Sequence, residues 1–311
     1  MPLKSFLSLF QVVMMSQNMT QVNTIKHRQI RRILNNMKPI YITDLDHTFL
    51  RTDQSVSDFS AKVWNEKSKD AILSVATARS FQKSHDFLEK LHLDAPMILL
   101  DGTMIVTPEK KLIDIKTINK ELGDAIIAEG AKYGIYPFVI ALRNVATLDE
   151  AFLFPTTLNL HQHGVLENYR NDPRMVECKN IRAMEMNLKL VYFGEYNTLN
   201  PLAKHFERIF GTELEYKLSP EKYSDGWFLT ILHSEGDKAH ALTKVMEYLE
   251  RDTQDVTVFG DSVNDIGMFK LAGTSVAVSN ALDEVKAVAD VVLPHSNDED
   301  GVARYLEGIN G

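Results

Sequence analysis

The sequence predicts an α/β protein in which a parallel-sheet domain is interrupted by an inserted α+β unit. Two observations predict it. Short, nearly all-apolar runs alternate with amphipathic stretches over residues 39–101 and again over 233–311, and strands of that kind belong to a parallel sheet covered on both faces. Between 102 and 232 the rhythm gives way to hairpin signals and scattered helices, the pattern of an antiparallel sheet with segregated helices. A chain of 311 residues has the length of about two domains and can bury real cores without staples.

The first half-domain opens with an apolar, β-branched strand at 39–43. A helix at 57–67 follows, with Phe59, Val63 and Trp64 on one face. Residues 71–76 form a second buried strand, and 80–91 a second helix with Ser80 available as its N-cap. Residues 97–100 make a third strand. In the insertion, 104–106 and 111–115 flank Thr107-Pro108-Glu109-Lys110 as a hairpin. A helix at 119–133 and a strand at 136–141 come next, then a strand at 188–193, a helix at 199–210 and strands at 213–218 and 227–232. The first rhythm resumes with a helix from 237 to 249, whose Ala241, Leu242, Val245, Met246 and Leu249 share a face. A strand at 256–260, a helix at 262–271 and strands at 275–278 and 291–293 complete it.

Composition excludes several classes. Hydrophobic residues are 44% and charged residues 24%, which is not the make-up of a disordered chain. The single Cys178 forbids an internal disulfide or a cysteine zinc site and fits a reducing compartment. The net charge of −8 argues against a nucleic-acid partner, and no apolar run reaches the roughly 18 residues of a membrane span. Residues 1–38 stand apart: they hold six basic residues and no acid, leaving 28 basic against 42 acidic side chains for the body. This segment is expected to be a loosely docked extension or the product of an early start codon. Its apolar run at 6–15 and its basic, acid-free character also suit a secretory or an organelle transit segment. A cytoplasmic location is expected, with an organelle as the alternative.

The chemistry concentrates at predicted strand ends, where open parallel sheets form their ligand crevice. Asp44-Leu45-Asp46-His47-Thr48 directly follows the first strand. Two carboxylates two residues apart can divide nucleophilic attack from proton transfer, although an Asx-turn with a helix cap has the same look. Gly260-Asp261-Ser262-Val263-Asn264-Asp265 follows another apolar strand. Four acids in one crevice call for a cation, and hard oxygen ligands with phosphate point to Mg²⁺. Thr77-Ala78-Arg79 ends the second strand, where a hydroxyl and backbone N–H groups suit a phosphate oxygen. Lys238 lies in the first turn of a helix, a position that favours anions, so a lysine there needs an anionic partner.

Asp44-x-Asp46-x-Thr48, Thr77, Lys238 and Gly260-Asp261-x-x-Asn264-Asp265 together resemble the haloacid dehalogenase superfamily of phosphohydrolases in order and spacing. Residues 260–277, Ala289-Asp290 and Asp300-Gly301-Val302-Ala303 are most similar to the Cof-type members and their sucrose-phosphatase relatives. The resemblance covers 39–101 and 233–311. It extends to 102–232 only by position and size, as the cap that such relatives insert. It implies a Rossmann-like core and gives each residue a role. Asp44 would be the nucleophile and Asp46 the general acid and base. Asp44, the Asp46 carbonyl and Asp261, with Asp265 in the same shell, would hold Mg²⁺. Thr77, Lys238 and Asn264 would serve the phosphate, with Asn264 and Asp265 positioning Lys238. His47, Ala239 after Lys238, and Asp101-Gly102-Thr103 where Asn-Gly is common depart from the pattern without removing a required group.

The expected activity is Mg²⁺-dependent hydrolysis of a small phosphomonoester, such as a sugar phosphate, through an aspartyl-phosphate. A phosphotransferase or phosphomutase on the same core is the alternative enzyme, and a non-catalytic phosphosugar-binding regulator the alternative outside enzymes. Neither the oligomeric state nor the individual substrate follows from the sequence, because the cap selects the substrate. His161-x-His163 is expected to be helical and solvated, and Arg143 and Arg170 are candidates to face a polar substrate.

Overall fold

The computed structural model describes residues 38–167, 169–220 and 226–308; the expectations for the basic leading segment lie outside them, apart from Lys38. Strand β1 (Ile40–Thr43) is buried along its whole length. Helix α1 (Asp58–Lys67) starts at Ser57, whose hydroxyl accepts the Ser60 N–H. Strand β2 (Ile72–Val75), helix α2 (Phe81–Leu88) and strand β3 (Met97–Leu99) follow. Next come β4 (Met104–Val106), β5 (Leu112–Ile115) and α3 (Lys120–Ala131), the last capped by Asn119. The insertion continues through β6 (Phe138–Asn144), β7 (Asp149–Pro155), α4 (Leu160–Glu167), β8 (Met175–Cys178), β9 (Asn187–Gly194), α5 (Tyr196–Phe210), β10 (Leu214–Pro220) and β11 (Trp227–His233). The chain ends with α6 (Lys238–Leu249), β12 (Val256–Gly260), α7 (Ile266–Leu271), β13 (Thr274–Ala277), α8 (Asp283–Lys286), β14 (Val291–Val292) and α9 (Gly301–Gly308).

The core sheet is wholly parallel, in the order β14-β13-β12-β1-β2. Strand order reverses direction between β1 and β12, so the loops leaving these two strands diverge and open a crevice there. Thr43 lies in register with Phe259, which delivers both acidic loops to the same edge. Phe49 meets Trp64 edge-on at 4.9 Å, tying α1 to the turn after β1, and Phe259 meets Tyr305 at 5.2 Å, tying α9 to β12.

Six strands of the insertion form a second sheet, β10-β11-β9-β6-β7-β8, antiparallel except for β7 with β8. Alternation along it sorts two cores. Val139, Ala141, Leu190 and Tyr192 pack under α3 and α5 with Ile126, Ile127, Leu202 and Phe206. Phe138, Ile140, Val191 and Phe193 join the cluster that runs through the parallel sheet. The insertion is thus seated on the core by its own apolar face.

Two features of the fold were not apparent in the sequence pattern. The hairpin β4–β5, which the change of rhythm assigns to the insertion, pairs antiparallel with β3 instead. A turn at Leu100–Gly102, with Asp101 at φ +66° and Gly102 at φ +116°, sends the chain straight back along β3. The change of pattern at 102 coincides with this reversal of chain direction. Strand β3 joins the edge of the parallel sheet through a bridge from Ile98 to Ala76. Strands β7 and β8 have no counterpart in the sequence pattern. Glu150 is buried in β7 and β8 is a four-residue piece with exposed Glu177, so neither shows clean alternation.

Candidate active site

The crevice between β1 and β12 is built around one buried ammonium. Lys238, 0% exposed, donates to Asp44 Oδ1 at 2.6 Å and to Asp265 Oδ1 at 2.7 Å. Asp44 stands at the end of β1, its N–H bonded to the Phe259 carbonyl at 3.0 Å. Asp265 Oδ2 accepts the N–H groups of Asp261 and Ser262 at 3.0 and 3.1 Å, closing the loop after β12. Gly260 makes this possible: a Cβ there would lie 2.6 Å from the Asp265 side chain. Thr48 donates its hydroxyl to Asp261 Oδ1 at 3.0 Å. One carboxylate oxygen from each of Asp44, Asp261 and Asp265 falls within 4.8 Å of the others.

Burial raises the Asp44 carboxyl well above the usual carboxylate range; Lys238 opposes the rise, and Asp265 and Asp261 add to it. Burial also disfavours the Lys238 ammonium, but the Asp265 and Asp44 carboxylates outweigh it and hold the lysine protonated. The lysine at the start of α6 therefore has the anionic partners that its position demands.

A second group of residues flanks this centre. Asp46 is half-buried and held by Arg79, whose Nε and Nη2 reach its two oxygens at 2.7 and 2.6 Å. Thr77 is fully buried, and its hydroxyl accepts the Arg79 N–H at 3.1 Å. Asn264 donates to Asp101 Oδ1 at 3.1 Å rather than bonding Lys238. The Asp101 carboxyl also receives Lys189 Nζ from the insertion at 2.6 Å. Burial alone would raise Asp101, yet Lys189, helped by Lys217 and Lys238, brings it down to about 2. Gly102 is packed so closely that a Cβ would run into the Asp237 carbonyl, which sets the turn carrying Asp101 against the start of α6.

Lys238 thus brings Asp44 and Asp265 together, with Asp261 beside them, while Asp46 and Thr77 are linked through Arg79 and Asn264 bonds Asp101. Other candidates stand apart from these contacts. Arg143 is bound to Asp149 in its own hairpin at 2.9 Å, and Arg170 pairs with Glu167 on the surface. Both histidines lie on α4, as expected, and His163 is exposed, but His161 is half-buried and bonds Glu195 at 2.8 Å rather than being solvated. Sequence reasoning missed Lys189 and Arg174. A single charge inside the apolar strand β9 was a usable signal for the first; Arg174 carries none, because its partners Ser80 and Glu150 are distant in the chain.

A parallel sheet with acids gathered around an ammonium at its switch point is the layout of an α/β enzyme. The profile of the haloacid dehalogenase-like hydrolases matches residues 41–306, and the chain belongs to that family, among its Cof-type phosphatases. It is a phosphoric monoester hydrolase acting on phosphorylated small substrates. The chain is 28% identical to the 5-amino-6-(5-phospho-D-ribitylamino)uracil phosphatase YwtE of Bacillus subtilis over 291 residues, covering 88% of this chain and 98% of that one. It is 23% identical to the pyridoxal phosphate phosphatase YbhA of Escherichia coli, covering 85% and 95%. Among solved structures, a haloacid dehalogenase-like hydrolase from Bacteroides thetaiotaomicron superposes with a TM-score of 0.71 at 20% identity, covering 88% and 99%. Among the described residues no helix is long and apolar enough to cross a membrane.

Proposed function

We propose that the protein is a Mg²⁺-dependent phosphatase that hydrolyses a small sugar-phosphate-like monoester through an aspartyl-phosphate on Asp44. The observation that carries this reading is the fully buried Lys238 holding Asp44 and Asp265 across the crevice. An ammonium fixed there neutralises charge on a transferring phosphoryl group and keeps Asp44 aimed at it. Asp44 attacks phosphorus; Asp46 protonates the leaving oxygen and then takes a proton from the attacking water. Thr77 and Lys238 hold the phosphoryl oxygens, with Asn264 on the rim beside them. Asp265, whose two oxygens are engaged by Lys238 and by the 261–262 backbone, orients the lysine and the loop.

The donor set fits a hard divalent cation. Asp44, Asp261 and Asp265 gather three buried carboxylates against one ammonium, and burial with like charge already pushes Asp44 toward its neutral form. We assign the cation to Asp44, Asp261 and the Asp46 carbonyl, with Asp265 completing the acidic shell. When bound, Mg²⁺ would keep Asp44 anionic and screen the phosphate charge. Sugar-phosphate preference draws support from the phosphoribityl substrate in the names of similar proteins. A cytoplasmic setting is consistent with the lone Cys178.

We further propose that the functional division falls where the chain passes between the two sheets, near 117 and 234, so that the hairpin β4–β5 counts with the core. The test is phosphate release from 4-nitrophenyl phosphate and a panel of sugar phosphates. Chelation should abolish it and Mg²⁺ restore it, while Asp44→Asn should lower turnover by at least about 10³-fold, several kcal/mol of barrier, in a folded protein. Full turnover after exhaustive chelation, or in a homogeneous Asp44→Asn preparation, would overturn the reading.

A further inference from the structure

We infer that Lys189 and Arg174, both on the insertion, are positioning residues for the proton-transfer step: by gripping the core loop on either side of Arg79, they fix the guanidinium that holds Asp46. The inference rests on the assignment of Asp46 as proton donor. Three consecutive core residues carry it. The Ala78 carbonyl accepts from Lys189 Nζ at 3.2 Å. Ser80 Oγ meets Arg174 Nη1 at 2.6 Å. Between them, Arg79 makes its paired bonds to Asp46 at 2.7 and 2.6 Å. From the core side, Arg79 N–H donates to Thr77 Oγ1 and the Arg79 carbonyl accepts the Leu100 N–H at 3.0 Å.

Both grips are built sites. Lys189 is 8% exposed and is the lone charge on β9, with Asp101 Oδ2 taking a second N–H at 2.6 Å. Arg174 is 5% exposed, held by Asp172 and Glu150, and lies over the Phe152 ring at 4.5 Å. Withdrawing such cations from water is costly unless each is paired. The insertion also meets the core through the apolar Phe138, Ile140, Val191 and Phe193. What the two cations add is direction. A paired guanidinium–carboxylate contact fixes orientation as well as distance, and a misplacement of about 1 Å at a reacting group costs on the order of 10²-fold. Asp46 is therefore aligned by the seated insertion through residues 78–80.

The test uses leaving-group chemistry. As Asp44 bonds to phosphorus, the ester P–O bond breaks and its electron pair goes to the departing oxygen, which takes the Asp46 proton. An alkyl oxygen needs that proton; a 4-nitrophenolate leaves largely without it. Lys189→Met/Asp101→Asn removes the grip without stranding a buried carboxylate. In this variant, kcat for propyl phosphate should fall at least about 10-fold, a fraction of the usual effect of a general acid. For 4-nitrophenyl phosphate it should fall less than about 3-fold, with KM little moved. Asp46→Asn is the reference and should show the same selectivity more strongly. Equal losses on both esters in Asp46→Asn would sink the donor assignment. Selective loss in Asp46→Asn beside an unchanged ratio in the folded double variant would overturn the role of Lys189. If the double variant does not fold, Ser80→Ala, which removes the anchor of Arg174, decides by the same ratio.

Discussion

Asp101 departs from the Asn that the family resemblance leads one to expect, and the structure supplies the countercharge that a buried carboxylate needs. Its carboxylate is buried between Lys189 and Asn264, and its pKa lies at about 2 against a usual 3.8. A carboxyl depressed on folding adds stability above its unfolded pKa and loses it as pH falls through the folded one. Asp101 should thus contribute on the order of 2 kcal/mol at neutral pH, disappearing between about pH 4 and pH 2. Denaturant unfolding of wild type and Asp101→Asn across that range checks it; a difference between the two that stays constant with pH would contradict the assignment. The residues legible in the sequence were those at element boundaries: Asp44, Asp46, Thr77, Asp261 and Asp265 follow apolar strands, and Lys238 opens a helix where a cation is out of place. Lys189 and Arg174 were not legible as site neighbours, because their contacts span 88 and 94 positions and depend on how one sheet sits on another.

Elements show a similar split. The parallel strands and their helices emerged almost intact, since buried β-branched runs leave little choice of period. The strands of the insertion that carry Glu150 and border Arg174 did not, because an ion pair inside a sheet erases the apolar alternation that would reveal it. Two motif acids that resembled family markers prove to be clamps between elements. Asp290 accepts the backbone and hydroxyl of Ser275, at 2.8 and 2.7 Å, and pins β13 to the turn before β14. Asp300, at the start of α9, receives Arg51, Ser57 and Ser60 and so ties the loop before α1 to the last helix. Asp300→Ala should therefore destabilise the core by about 2–3 kcal/mol by stranding these donors. The remaining folded protein should keep its turnover, because none of these groups touches the crevice. Thermal unfolding with a parallel activity assay measures both; a large loss of kcat without a loss of stability would place Asp300 in the chemistry instead.

At the scale of the whole molecule, the core crevice carries the groups assigned to the phosphoryl transfer, and the insertion presents Lys189, Arg174 and Lys217 toward its rim. Substrate choice should travel with the insertion. Exchanging residues 117–234 for the matching segment of the pyridoxal phosphate phosphatase relative should reorder preference across a phosphorylated-metabolite panel. Chelation should still abolish turnover of 4-nitrophenyl phosphate. A chimera that folds and keeps the original ranking would locate selectivity in the core. The fold class and the existence of an insertion were legible from the rhythm of the chain. The pairing of β3 with β4 was not, because the apolar rhythm does not show that the turn at Leu100–Gly102 reverses the chain.

The two passages between core and insertion run side by side. Lys116 Nζ lies 3.0 Å from Glu235 Oε2, and a Cβ on Gly236 would sit 3.1 Å from the Thr103 methyl. In polymer terms, everything between them is a closed loop whose ends already meet. Doubling the length of such a loop raises its closure entropy by only about 0.6 kcal/mol. Growth, shrinkage or wholesale exchange of the intervening segment therefore leaves the register of β1 against β12 nearly untaxed, and a lineage can try new leaving groups while its phosphate chemistry stays still.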